Sequence, residues 1–372
     1  MPLVRLKSSV IALLMVLASL WVVSASAATS MWPPRATSQS AMIGDYRALS
    51  CPRSPPPAYT GHLRVDSKYD QSEASKTTLV PLPQESERIR QQITEYHRGL
   101  QEIITRYERA RNEQEVNLSL ACLHQWLEAW AQPGAMLSRE VSGTGRAVRK
   151  WSLAALGSGL LKVRALSNGD YQLSTAQRSW LERLSNAVIS DYSPRQTLDF
   201  AWFNNHDYWA AWAVSSTGML LDRNAHIDWA AKTLQLAFEQ MQPGQAGDYV
   251  QLPLETARGR LAVDYTHYAL VPLVLLAESM QVNGRSLSTD QQRKLGQLAN
   301  FAVRGVLEPA NLPELEAGQE RPPNHKMVWL IPFLKQQPDH VLARQLYGQA
   351  GSELGYYGQV GGNIRFFYPN ID

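Results

Sequence analysis

The stretch NNHDYWAAW (Asn204–Trp212) changes from polar to apolar halfway along its length. It opens with two amides, an imidazole and a carboxylate, and beyond Trp209 it continues through Ala210 and Ala211 as an apolar helix. The polar residues therefore lie at or near one end of a helix, where donors can converge on an anionic ligand. An indole beside an amide and an imidazole suits an acidic sugar, because the ring can stack while its carboxylate accepts hydrogen bonds.

Helical spacing extends through most of the chain on both sides of this stretch. From Glu85 onward apolar residues recur three and four positions apart, and a second helix ends at Pro133-Gly134. Ser174 and Ser288 are predicted to cap the starts of two helices. Further helices are predicted near residues 145–165, 175–192, 197–221, 226–241, 261–281, 289–306 and 340–350.

The connections between these helices are short, and no run shows the alternation of a sustained strand. Only residues 359–368 have the character of a short strand or an extended tail. These features predict an all-α fold, an (α/α) toroid or incomplete α/α barrel of antiparallel helical hairpins. Because no linker interrupts residues 85–350, residues 61–372 are predicted to form a single helical catalytic domain.

Two segments precede this domain. Residues 1–27 have the form of a secretory signal peptide, with Arg5 and Lys7 before an apolar run and Ala25-Ser26-Ala27 at its end. Residues 28–60 are a Pro/Ser-rich leader, which we expect to be extended or poorly ordered. We expect cleavage of the signal, a periplasmic location and no membrane segment in the mature chain.

Net charge and cysteine content limit the partners and the cellular compartment that we expect for this chain. The formal charge of +3 falls to +1 when Arg5 and Lys7 leave with the signal, so nucleic acid is not an expected partner. Cys51 and Cys122 are the two cysteines of the sequence, and an oxidising compartment favours a disulfide between them. A free, buried Cys122 is the alternative. The sequence has no zinc-site pattern and no nucleophile elbow, HExxH, Walker or dinucleotide motif, so we expect neither a metal nor a cofactor.

The segment LPLETARGRLAVDYTHYAL (Leu252–Leu270) carries a second group of reactive side chains. Arg258 and Tyr265 are seven residues apart, so on a continuous helix they share a face, which Tyr268 extends. With the amide and imidazole of the first stretch they suit β-elimination beside a uronate carboxylate. Neutralising the carboxylate stabilises the enediolate-like intermediate. A base must remove the C5 proton, and an acid must protonate the departing O4. In β-D-mannuronate the C5 hydrogen and O4 lie on one side, so a single tyrosine can act as both.

The two segments together resemble the periplasmic mannuronate-type alginate lyases. Three further stretches carry the resemblance: Ser67-Lys68-Tyr69, Leu120 to Trp130 with Cys122, and Trp329 to Phe333. The resemblance covers the chain from about residue 60 to its end. It implies an (α/α) toroid enzyme that cleaves poly(β-D-mannuronate) by β-elimination without a required metal.

The resemblance also implies roles for individual residues. It makes Asn205 the amide that neutralises the carboxylate and His206 the catalytic histidine. It makes Arg258 the arginine that binds the carboxylate and lowers the pKa of the tyrosine, and Tyr265 the base and acid. The implied substrate-binding residues comprise a lysine on a lid loop and two aromatic subsite residues: Lys68, Trp209 and Tyr268.

Several positions keep an alternative interpretation. Asp207 departs from the family pattern, and its carboxylate is expected to raise the pKa of His206 or to repel substrate. Arg258 can instead pair with Glu255 on a surface, and Trp209 can be a core residue. The arginines and glutamates that interleave after Glu85 are expected to form a solvated, ion-paired helix face.

Three functional hypotheses follow. The first is a periplasmic poly(mannuronate) lyase that works beside, or as a partner of, a polysaccharide export complex or in alginate catabolism. The second is a lyase for another polyuronate, such as glucuronan, with changed subsites around Lys68 and Asp207. The third is a non-catalytic polysaccharide-binding subunit of an export complex.

Overall fold

The computed structural model of the chain describes residues 27–245, 247–351 and 354–371. The predicted signal peptide therefore lies outside the described residues, apart from Ala27. The helices within the described ranges are α1 (Gln84–Arg109), α2 (Glu113–Ala131), α3 (Gly143–Leu166), α4 (Thr175–Tyr192), α5 (Asn205–Leu221), α6 (Asn224–Glu239), α7 (Pro253–Thr256), α8 (Ala262–Val282), α9 (Thr289–Leu307), α10 (Leu330–Gln336) and α11 (Val341–Ala350).

The helices form two layers whose members alternate along the chain. In the inner layer α1 packs against α3, α3 against α5, and α5 against α8. In the outer layer α2 contacts α1 and α4, α6 contacts α5 and α8, and α9 contacts α8. Consecutive helices such as α1 and α2 or α5 and α6 are joined by two or three residues, so they form hairpins. The prediction of an all-α fold is confirmed.

Capping fixes where α5 begins. The Asn204 side chain accepts a hydrogen bond from the His206 backbone N–H (3.0 Å), and the Asp207 carboxylate accepts one from the Asn204 N–H (3.0 Å). The predicted start near residue 197 was therefore wrong, because this reciprocal box places the first turn at Asn205. Ser174 and Ser288 do cap α4 and α9, each with a capping box.

The helical conformation is interrupted immediately before α8, the most apolar of the inner helices. Arg258 does not lie on a continuous helix with Tyr265, because a 3₁₀ turn (Gly259–Leu261) separates α7 from α8. Gly259 has a φ of +55°, a left-handed conformation that favours glycine. Gly259–Val282 is long and apolar enough to cross a membrane. However, 94% of its most apolar stretch of 18 residues is buried inside the protein, as in a core helix.

The leader is extended and packs against the helices. Trp32 stacks on Phe367 with ring centroids 4.5 Å apart, and its indole N–H donates to the Tyr368 hydroxyl (3.2 Å). Cys51 and Cys122 form a disulfide that ties the leader to α2. The leader and the end of the chain are thus held together on one side of the molecule.

The strands of the described residues form two hairpins of two residues per strand. β1 (Gln242–Pro243) pairs antiparallel with β2 (Val250–Gln251), and β3 (Tyr356–Tyr357) with β4 (Gly362–Asn363). The second hairpin lies against α3 through Gly361, where an added Cβ would be 2.8 Å from the Gly159 backbone. Of the segment predicted as a strand or tail, residues 359–368, only Gly362 and Asn363 are strand, as the second half of this hairpin, and Arg365–Phe367 form a 3₁₀ turn.

Candidate active site

Asn205 is anchored by a buried carboxylate at the start of α5. Its backbone N–H donates to Glu255 Oε1 (2.7 Å), and its side-chain Nδ2 donates to both Glu255 oxygens (3.0 and 2.9 Å). Burial raises the pKa of Glu255. The amide N–H groups are therefore occupied by Glu255, and the Oδ1 is buried without a partner among the described residues. The structure thus does not support the predicted role of Asn205 as the amide that neutralises the substrate carboxylate, because its donors are already bound and its side chain has no exposed surface.

His206 follows in the first turn of α5 and is partly exposed. Its Nδ1 lies 2.7 Å from the Nζ of Lys150 on α3, and its ring is 5.7 Å from that of Trp151. Its Nε2 makes no hydrogen bond to any residue in the described part of the chain. Burial, and then Lys150, hold the pKa of His206 well below 6.5, so the ring is neutral at pH 7.

Asp207 points away from the cleft, into an ion pair. Both carboxylate oxygens accept from Arg195 (2.6 and 2.7 Å), and the side chain is buried. The expectation that Asp207 raises the pKa of His206 was wrong, because that pKa is lowered. The expectation that it repels substrate was wrong too, because Arg195 compensates its charge.

Tyr265 lies where the helix break and an overlying loop meet. The Arg258 guanidinium is 4.6 Å from the centre of the Tyr265 ring and donates to the Ser75 carbonyl (3.4 Å), rather than forming an ion pair with Glu255. The Tyr69 hydroxyl is hydrogen-bonded to Tyr265. Burial and Tyr69 raise the pKa of Tyr265, whereas Arg258 acts in the opposite direction. The predicted lowering is thus outweighed in this closed site.

The loop over the site carries the predicted lid lysine. Lys68 is exposed, and its Nζ lies 5.0 Å from the ring centre of its neighbour Tyr69. Further along the loop, the Lys76 Nζ lies 5.4 Å from the ring centre of Trp202. Lys68 therefore borders the site through Tyr69, and the loop contacts both Arg258 and Tyr265.

Aromatic rings form the wall beside Tyr265. Tyr268 donates to Gln359 (3.3 Å) and its ring is 6.5 Å from that of Tyr265. Trp209 has no exposed surface and packs beneath Tyr268 and Tyr357, at 5.1 and 5.9 Å between ring centroids. The structure thus does not support the prediction that Trp209 is a subsite indole, because the ring lies under the wall rather than in it.

A cavity of about 770 Å³ continues from this wall along α1. Trp151, Tyr357 and Gln359 line its inner end. Its α1 side carries three arginines, two helical turns apart in succession: Arg90, Arg98 and Arg106. None of the three forms an ion pair with a described residue. The prediction of an ion-paired face was wrong here, because Glu102 of α1 pairs with Arg53 of the leader instead.

The chain is similar to known proteins over most of its length. A family model described as alginate lyase matches residues 64–312. The chain is 32% identical over 305 residues to an alginate lyase of Pseudomonas aeruginosa, and the aligned region covers 79% of each chain. It is 30% identical over 354 residues to one of Azotobacter vinelandii, which covers 92% of this chain and 91% of the relative. This chain belongs to the alginate lyase family.

Solved structures agree on the fold. The crystal structure of alginate lyase A1-III from Sphingomonas species A1 superposes with a TM-score of 0.63 at 17% identity, over 90% of this chain and 91% of that one. A variant of the same enzyme complexed with a tetrasaccharide gives a TM-score of 0.64 at 16% identity, over 91% of both chains. The predictions of an α/α toroid and of a polysaccharide lyase are confirmed.

The structure of this alginate lyase brings together Asn205, His206, Arg258 and Tyr265, as the two motifs predicted. It also adds residues to which the sequence analysis assigned no role in the site: Tyr69, Lys150, Glu255, Tyr357 and Gln359. One signal was available for Lys150, because α3 contains no Asp or Glu and its lysines must find partners elsewhere. The tail residues had no such signal, since their place depends on the packing of the second hairpin.

No metal-ligand cluster stands out among the residues that the structure describes. No three His, Cys, Asp or Glu side chains there converge closely enough to hold an ion.

Proposed function

We propose that this alginate lyase cleaves poly(β-D-mannuronate) by β-elimination, with Tyr265 as the base and then the acid. The observation that carries the proposal is the Arg258 guanidinium, 4.6 Å from the Tyr265 ring beside the histidine-bearing end of α5. The reaction removes hydrogen from C5, its electrons form the C4=C5 double bond, and the C4–O4 bond breaks. Each fragment needs one proton transfer, which a single phenol can supply in turn.

Cations around Tyr265 support its role as a base. Besides Arg258, the Lys326 Nζ lies 5.6 Å from the Tyr265 ring centre, although it also pairs with Asp264. Both charges favour the phenolate over the phenol. Displacement of Tyr69 as substrate enters would remove a hydrogen bond that raises the pKa of Tyr265. The phenolate then takes the C5 proton and returns it to O4.

The carboxylate of the reacting sugar has donors close at hand. His206 presents its unpaired Nε2 to the cleft, and Arg258 supplies a fixed positive charge. Hydrogen bonds and charge directed at the carboxylate stabilise the enediolate-like intermediate more than the starting uronate. Beyond this centre, the α1 arginines suit the carboxylates of neighbouring sugars.

The test uses three polymers and one detector. The purified chain is incubated with polymannuronate, polyguluronate and polyglucuronate, and the ultraviolet absorbance of the unsaturated uronate is followed. A rise mainly on polymannuronate is the expected result. A rise only on polyglucuronate would overturn the substrate and keep the chemistry, and binding without any rise would favour a non-catalytic subunit.

We also propose that the chain acts in the periplasm and there meets a polysaccharide export complex. The Cys51–Cys122 disulfide supports an oxidising compartment. Fractionation of expressing cells with N-terminal sequencing of the mature protein tests the location and the cleavage site. Co-purification with export proteins tests the partner, and recovery of full-length chain in the cytoplasm would contradict both.

A further inference from the structure

Lys150 is a buried cation without a carboxylate partner. Its side chain, on α3, has no exposed surface, and it forms no ion pair within the described ranges. The acidic side chains nearby have other partners, because Asp207 forms an ion pair with Arg195 and Glu255 accepts hydrogen bonds from Asn205. Burial lowers the pKa of Lys150, whereas the charges of Asp207 and Glu255 act in the opposite direction. An ammonium at this position is costly to bury, so the position calls for a specific function.

Three acceptors surround the Lys150 Nζ. The His206 Nδ1 lies at 2.7 Å, and the ring centres of Trp151 and Tyr192 lie at 4.8 and 5.4 Å. An ammonium has three N–H donors and no acceptor, and the two aromatic faces attract its positive charge. The Nζ–Nδ1 distance is that of a hydrogen bond, and an ammonium can only donate in it, so Nδ1 is the unprotonated nitrogen of the imidazole.

A second histidine of the molecule shows the same arrangement with both ends occupied. The indole N–H of Trp329 donates to His267 Nδ1 (3.1 Å), so the His267 Nε2–H donates to the Ala302 carbonyl (2.9 Å). A donor at Nδ1 thus places the proton on Nε2. His206 differs because its Nε2 has no described partner and its side chain is partly exposed to the cleft.

We propose that Lys150 is a positioning residue that fixes His206 in the tautomer with the proton on Nε2. His206 then acts as a hydrogen-bond donor to the substrate carboxylate and not as a base. This inference rests on the proposed lyase function. Burial and Lys150 both lower the pKa of His206, which keeps the ring in its neutral form.

The tautomer restricts which sugar can react. α-L-Guluronate is the C5 epimer of mannuronate, so its C5 hydrogen and O4 lie on opposite sides. Elimination from it needs a base on the face opposite the acid, and a protonated Nε2 cannot accept that proton. Lys150 thereby limits the site to elimination in which Tyr265 serves both atoms.

The direct test measures the tautomer in the wild-type protein. The mature chain is labelled with ¹⁵N-histidine, and two-bond ¹H–¹⁵N correlation spectra separate protonated from unprotonated ring nitrogens. His206→Gln assigns the signal, and His267 serves as the internal reference. We expect His206 and His267 to show the same pattern, with Nε2 protonated. A proton on His206 Nδ1 would overturn the proposal whatever the enzyme cleaves.

The variant Lys150→Met tests the consequence for catalysis. It keeps the apolar stem and removes the donor, and we expect a loss of kcat of about 100-fold with KM changed less than about threefold. The His206 spectrum should change in the same variant. Normal kcat with an unchanged spectrum would overturn the proposal, as would a pure rise in KM.

A matched control comes from the same helix. The double variant Lys162→Met with Glu108→Gln removes the other buried lysine of α3 together with its carboxylate partner. It should leave both the His206 spectrum and kcat unchanged. If Lys150→Met does not fold, the wild-type spectrum still decides the tautomer. Absence of lyase activity in the wild type, with the expected tautomer, would refute the proposed function alone.

Discussion

The two buried lysines of α3 lie twelve residues apart and have opposite surroundings. Lys162 forms an ion pair with Glu108 and donates to the Asn363 carbonyl (3.3 Å). Lys150 has an imidazole and two aromatic rings instead. Both side chains are fully buried, so burial alone does not distinguish them.

The difference separates structure from function within one helix. A buried cation with its own carboxylate holds elements together, because breaking the pair leaves an uncompensated charge. A buried cation that bonds a titratable group controls the protonation of that group instead. We therefore expect changes near Lys150 to alter the reaction, and changes near Lys162 to alter stability.

The largest expected effect comes from Tyr265, in the catalytic centre that the Lys150 end of α3 reaches through His206. Tyr265→Phe removes the only proton-transferring atom of that side chain, so kcat should fall by roughly 1000-fold or more. Binding of mannuronate oligomers, measured by calorimetry, should change little. Tyr347→Phe, a buried tyrosine on α11 whose hydroxyl donates to the Ile371 carbonyl, is the control. Near-normal turnover by Tyr265→Phe would refute the mechanism.

The next effect concerns the Lys162 end. Lys162→Met leaves Glu108 buried without its cation, and the free energy of unfolding should fall by about 3–5 kcal/mol. Urea unfolding measures this change, and kcat of the folded enzyme should stay within about twofold. Adding Glu108→Gln should restore most of the stability. A large loss of kcat with normal stability would reverse the comparison.

Histidines that the fold keeps neutral, His267 in the core and the partly buried His97, provide a further contrast with buried cations. Burial lowers the pKa of His97 and of His267 to about 4 in the folded chain. The unfolded chain binds protons first as the pH falls, so the contribution of each histidine is present above about pH 6.5 and lost as the pH falls towards about 4. Each contributes a slope of about 1.4 kcal/mol per pH unit in that window.

The variant His97→Leu tests this slope. The His97 Nε2 has no hydrogen-bond partner, so its removal breaks no bond at that atom. Urea unfolding at several pH values should show a shallower pH dependence than in the wild type between about pH 6 and 4. An unchanged slope would mean that His97 does not titrate as a buried neutral group.

The smallest effect lies along the cavity beyond the catalytic centre. Arg98→Gln removes one of the unpaired charges on α1, and KM for polymannuronate should rise about fivefold, or about 1 kcal/mol, with kcat unchanged. The rise should shrink at high salt. Arg111→Gln removes the same charge at an exposed position outside the cavity and should have no effect. Equal effects of both variants would argue against a binding role for the cavity.

Local patterns in the sequence predicted most of the helices. Spacing of apolar residues and capping boxes such as that of Ser288 placed most of the elements to within a few residues, because both signals are local. The predicted start of α5 was wrong, and so was the prediction that Arg258 and Tyr265 share one continuous helix. The capping box of Asn204 and Asp207 that starts α5 is local but was not recognised in the sequence, whereas the Arg258 side chain meets a partner distant in sequence, the Ser75 carbonyl.

The candidate site was predictable only in part for the same reason. Its four catalytic candidates lie in two short motifs, whereas Lys150 acts on His206 from another helix. The direction in which the pKa of Tyr265 is shifted could not be predicted from the sequence either, because burial and Tyr69 raise this pKa by more than the neighbouring arginine lowers it. Contacts between distant segments, and not residue type, determine these properties.

The contact between Trp32 and Phe367 has a consequence for how the enzyme matures. A chain made from its amino end presents Trp32 long before Phe367, the ring on which it stacks. Tyr357 and Gln359, which wall the cleft, arrive just before it. A nascent chain therefore has no finished cleft, and catalytic competence should appear only when the tail closes onto α3.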